Sequence, residues 1–129
     1  MFAVGDIVEM FAPSASKTKY HLCVCCSDEN GVDKFLFINS GVGYEGDFVL
    51  VDGQIHGLPT SKSGKSVISC SFVDRCNQRQ LLLFKAKKIS ELDKVIAKSL
   101  AEFITNTKSL TKKDKLPLVN GIATYSQTK

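Results

Sequence analysis

The chain has 129 residues, a formal net charge of +4, and 43% hydrophobic against 23% charged residues. That length predicts one domain able to bury roughly two-thirds of its unfolded surface without staples, and the composition argues against wholesale disorder. The modest charge surplus permits a nucleic-acid partner without demanding one, and no apolar run approaches the roughly 18 to 20 residues of a membrane span.

Val4 to Phe11 reads as a strand with Ile7 and Val8 near the core, followed by a polar loop, Ala12 to Thr18. Lys19-Tyr20-His21 then leads into the apolar run Leu22-Cys23-Val24-Cys25-Cys26. Tyr20 to Cys26 and Lys34 to Ile38 are predicted strands, joined by a segment in which Asn30-Gly31 favours the positive φ of a hairpin turn. Phe48 to Val51 is a further strand, closed by Asp52-Gly53. Ser66 to Val73 alternates, with Val67, Ile68, Cys70 and Phe72 among serines. Leu81 to Phe84 reads as a short apolar strand.

Ser90 to about Asn106 is the predicted helix. Ser90 and Asp93 form a capping-box-like pair, and Leu92, Val95, Ile96, Ser99, Leu100, Phe103 and Ile104 recur at helical spacing. Residues 108–129 begin with a basic stretch and have weak periodicity, so they read as a flexible or loosely docked tail. The expected fold is mainly β (α+β), a small, strongly bent antiparallel barrel over residues 1–107 with the amphipathic helix covering one end.

Five cysteines, three of them in one apolar run, fit reduced thiols better than a disulfide framework. No charged segment followed by an apolar one marks the first residues as a secretion signal. The expected location is the cytoplasm of a bacterium, or of a host cell if the chain is virus-encoded.

The order Gly5-Asp6-Ile7-Val8, a polar loop, Lys19-Tyr20-His21, a strand ending at Asn39-Ser40, and a Ser-Val-Ile strand before a helix resembles the MazF/PemK-like toxins of toxin–antitoxin modules. The resemblance spans roughly Val4 to Asn106. It implies an SH3-like barrel, a homodimer, and metal-independent endoribonuclease cleavage of single-stranded RNA, with a cognate antitoxin or inhibitor protein as partner. Typical members carry a catalytic Arg, in Arg-Pro, where this chain has Lys19-Tyr20. They carry a Thr where it has Ser40, and their later Asp-Gln and Arg-Thr pairs meet only Ser71-Phe72-Val73-Asp74-Arg75.

Metal-free RNA cleavage needs a base for the 2′-hydroxyl, an acid for the leaving oxygen and cations for the phosphorane. Lys19 can supply charge as a point donor, His21 can act as acid or base, and Ser40 can orient a phosphate. Asp74 and Arg75 can add a carboxylate and a second cation. Each also has a structural reading: a solvated lysine, a core histidine, a turn serine and a surface ion pair. Lys17, Lys62 and Lys65 are candidate RNA backbone contacts.

Gly64-Lys65-Ser66 ends like a phosphate loop, but Pro59 occupies the position of the first glycine and a strand follows instead of a helix. A nucleotide triphosphatase is therefore excluded. Zinc built from the cysteines with His21 or His56 is disfavoured because strand alternation sets Cys23 and Cys25 on one side and Cys26 on the other. No metal or other cofactor is expected. Two function classes stay open: an endoribonuclease, and a non-catalytic RNA- or protein-binding module on the same barrel.

Overall fold

A computed structural model of the chain describes residues 2–26, 31–40, 46–59 and 64–128. The strands are β1 (Asp6–Ala12), β2 (Lys17–Cys25), β3 (Val32–Ser40), β4 (Asp47–Val51), β5 (Lys65–Ser69), β6 (Asp74–Asn77) and β7 (Lys87–Glu91). The helices are α1 (Gln78–Leu83), α2 (Lys94–Asn106) and α3 (Lys112–Gln127). All strand pairs are antiparallel, in the order β4-β5-β3-β2-β1-β7. β3 divides one edge between two partners: Val32 to Phe35 pair with β6, and Ile38 to Ser40 pair with β5.

The sheet is bent into a barrel-like shape. β4 and β7 stand at opposite ends of the strand order, yet the segment after β4 returns to β7. A Cβ built on Gly57 would lie 3.6 Å from the Ile89 carbonyl oxygen, and Ile55 and Leu58 share a core with Ile89. The fold is thus mainly antiparallel β with helices, as the alternating apolar runs predict. Among the described residues, no helix is long and apolar enough to cross a membrane.

The pleat sends successive side chains to opposite faces of the sheet. One face collects Ile7, Leu22, Leu36, Ile38, Leu50 and Ile68 and packs against Leu100 and Ile104 of α2 and Leu118 and Ile122 of α3. The other face collects Val8, Met10, Cys23 and Phe35, covered by Cys76 of β6 and Leu81 of α1. Two faces therefore carry two separate cores.

Four expectations about the elements are corrected. Ser90 does not open α2: it pairs with Ile7 in β7, because the outer edge of β1 takes Lys87–Glu91 as a ladder partner. Asp93 caps the helix instead, its carboxylate accepting from the Val95 and Ile96 N–H groups at 2.9 and 3.2 Å. Leu81 to Phe84 is not a strand. Asn77 and Gln80 form a reciprocal capping box that starts α1. The alternating segment from Ser66 ends as a strand at Ser69, and β6 begins only at Asp74.

The fourth correction concerns the tail. Residues 112–127 are helical and docked, with Leu118 and Ile122 buried in the main core. Pro117 and Gly121 blur the helical signal, since one lacks an N–H and the other is a poor helix former. Gly121 has a packing reason: a Cβ there would stand 2.6 Å from the Val24 carbonyl oxygen, so its absence lets α3 lie close on β2. Near the end of α3, Tyr125 donates its hydroxyl to the Leu92 carbonyl, and the Lys94 ammonium sits 3.5 Å from the Tyr125 ring centre.

Candidate nucleic-acid interface

The site grows from the alternation of β2 and β3. Lys19, His21 and Cys23 point to the face opposite α2 and α3, where His21 pairs across the ladder with Phe37 and Cys23 with Phe35. Lys19 donates its ammonium to the Asn39 side-chain oxygen and lies 5.5 Å from the centre of the Phe37 ring. Partial burial, then the neighbouring Lys17 charge, holds the Lys19 pKa below the usual lysine range. Phe72 stacks on Phe37 at 5.8 Å with 14° between the rings, and stays 53% exposed.

His21 lies beneath this surface. It is fully buried, with its ring 4.8 Å from Phe37 and 6.1 Å from Phe35. Burial pushes its pKa down to about 4, so the imidazole is neutral at pH 7. The Nδ1–H donates to the Lys19 carbonyl at 3.1 Å. That tautomer leaves Nε2 an acceptor facing the Asp74 carboxylate at 3.7 Å, and Nε2 has no hydrogen-bond partner. Burial also raises the Asp74 carboxyl.

Of the five candidate catalytic residues, Lys19, His21 and Asp74 come together on one face. Ser40 does not join them. It follows Asn39 by one residue, pairs with Ser66, and so falls on the opposite face of the sheet. Arg75 also turns away: its guanidinium donates to the Val73 carbonyl and to Asp114 of α3, both at 3.2 Å. The expected convergence of Lys19, His21, Ser40 and Arg75 on one accessible concave surface is therefore not what the fold builds, and His21 is enclosed in the core.

The lysines divide differently. Lys17 is exposed two residues before Lys19 and shares its side of β2. Lys65 is exposed two residues before Val67, which pairs with Asn39, so the pleat places it on that same face. Lys62 lies outside the described residues. Sequence reasoning missed Asn39, Phe37 and Phe72. The signal for Phe72 was a large apolar residue among serines, which reads equally as core; exposure separates the two readings, and exposure is a tertiary property.

Among the described residues, no group of three or more His, Cys, Asp or Glu side chains is placed to hold a metal ion. The imidazole of His21, neutral and fully buried, is out of reach of a ligand on this face. What the face offers is an exposed aromatic ring, a cation on the neighbouring ring, and two further lysines along the same face. No family model, curated protein or solved structure matches the chain.

Proposed function

We propose that the chain is a non-catalytic module that binds single-stranded RNA on the β2–β3–β5 face. The half-exposed Phe72, stacked on Phe37 beside Lys19, carries the reading. An unpaired base stacks on such a ring whatever its identity, while lysines along the groove meet the backbone phosphates. Asn39 holds the Lys19 ammonium next to the ring, so the cation and the stacking surface are presented together. The choice of RNA rests on the resemblance of the sequence order to MazF/PemK-like toxins. The endoribonuclease reading is the weaker one, because cleavage needs an acid and a base that reach substrate, and His21 is shut away from solvent.

Fluorescence anisotropy with a labelled RNA of about a dozen nucleotides, and its DNA counterpart, tests this. Phe72→Ala is expected to weaken RNA binding by roughly 5- to 150-fold, the value of one stacked base. Affinity should fall steeply with salt as counterions are released. RNA recovered from the incubation should be intact. Cyclic-phosphate ends that vanish in Lys19→Ala would overturn the non-catalytic reading, and unchanged affinity in Phe72→Ala would remove the stacking face.

A further inference from the structure

The second core contains a pair of thiols that strand alternation alone would separate. In a regular strand, Cys23 and Cys26 would face opposite sides. The β2–β3 ladder is irregular between Cys23 and Cys25: Cys23 pairs with Phe35, but Cys25 pairs with the very next β3 residue, Lys34. Two residues of β2 thus take one step of β3, which is the count of a β-bulge. Val24 joins the main core on one face, while Cys23 and Cys26 both pack into the smaller core on the other. Their sulfurs end 3.5 Å apart.

We propose that Cys23 and Cys26 form a reversible oxidation site, a dithiol that closes to an intrachain disulfide when the chain meets a low-molecular-weight disulfide. Closure needs the sulfurs to approach to about 2.05 Å, a small movement for two side chains at a strand end. The two thiols have unequal roles. Cys26 is part-exposed and Cys23 is fully buried. The contact between the two sulfurs, ahead of burial, raises the Cys23 pKa and lowers that of Cys26. Cys26 is therefore the attacking thiolate and Cys23 the resolving thiol.

With glutathione disulfide as oxidant, the Cys26 thiolate attacks one sulfur and expels one glutathione thiolate. Cys23 then gives up its proton and attacks the Cys26 sulfur, expelling the second. The protein loses two hydrogens, as two protons and two electrons, and one glutathione disulfide becomes two thiols. Cys70 and Cys76 stay out of the reaction. Both are buried, and burial pushes each thiol up to about 12.

The test uses the full chain, reduced and then freed of reductant. It is equilibrated with glutathione mixtures from fully reduced to fully oxidised, acid-quenched, alkylated and peptide-mapped by mass. The expected result is the joint loss of two of the five thiols, a Cys23–Cys26 linkage without retained glutathione, and full return on adding dithiothreitol. Cys25→Ser should close as the parent does, and Cys26→Ser, at a part-exposed position, should form no intrachain disulfide. A stable glutathione adduct on Cys26 without closure, a linkage through Cys25, or five free thiols at every mixture would each overturn the proposal.

Discussion

The buried side chains on the face of the sheet beneath α2 and α3 are aliphatic apart from Cys70, whereas the opposite face mixes Phe35, Val8 and Met10 with His21, Asp33 and a thiol pair. The first has a thick cover of two long helices. Among the described residues, the second is covered by β6, the short α1 and the flanking Phe2, Phe84 and Ala86. A thick apolar layer asks nothing of its members beyond volume and shape. A thin layer over polar groups desolvates them with fewer partners at hand, and the unpartnered Nε2 of His21 is the direct consequence. Chemistry therefore concentrates on the thin side: a stacked aromatic pair, a cation with a lowered pKa and two adjacent sulfurs. Stability concentrates on the other.

The sharpest test of that division is a truncation under the helices. Leu100→Ala empties space in the main core and should cost about 2–5 kcal/mol in urea unfolding. RNA affinity should change by less than about twofold, because the two sites share no partners. A matching loss of affinity would mean that the faces are coupled.

The next effect comes from acid. The unfolded chain protonates His21 at the ordinary value of 6.5, the folded chain only near 4. The unfolded state thus binds more protons between those values, so stability is complete above pH 6.5 and is lost as pH falls toward 4, by up to about 3 kcal/mol. Asp74, whose carboxyl is raised, works in the opposite direction and reduces the net slope. Urea midpoints measured across pH 4 to 7 should show the loss, and His21→Phe should flatten it. A slope that survives the substitution would place the titrating group elsewhere.

A smaller loss is expected where α3 touches β2. Gly121→Ala forces a methyl against the Val24 carbonyl, an overpacking worth about 1–3 kcal/mol in thermal or urea unfolding. No loss would mean that α3 can shift without cost, and the thick cover would be looser than its burial implies. The smallest effect should come from Lys17→Gln and Lys65→Gln. Each exposed lysine should change stability by less than about 0.5 kcal/mol, yet each should reduce the slope of log affinity against log salt by about 0.7. If neither moves the slope, those lysines do not meet the RNA backbone.

Much of the strand order was legible in the sequence. The apolar runs around Ile7, Leu22, Phe35, Phe48 and Ile68 each became a strand, and the apolar spacing from Val95 to Ile104 became α2, because period-2 and period-3.6 patterns are local properties of the chain. Free thiols were likewise expected from composition. Other features depended on what lay across the fold. β7 is a strand because β1 had an edge to fill, and its own residues carry little strand signal. α3 is a helix in spite of Pro117 and Gly121 because Leu118 and Ile122 find a core to enter. The proposed site divides the same way. The sequence could name Lys19, His21, Ser40, Asp74 and Arg75 as candidates, but it could not tell that Ser40 and Arg75 would turn away, or that Phe72 would remain exposed while His21 was sealed in. Nor could alternation foresee a bulge that returns Cys26 to the side of Cys23. Burial and ladder register are set by non-local contacts, and a one-residue change in register exchanges the faces of everything beyond it.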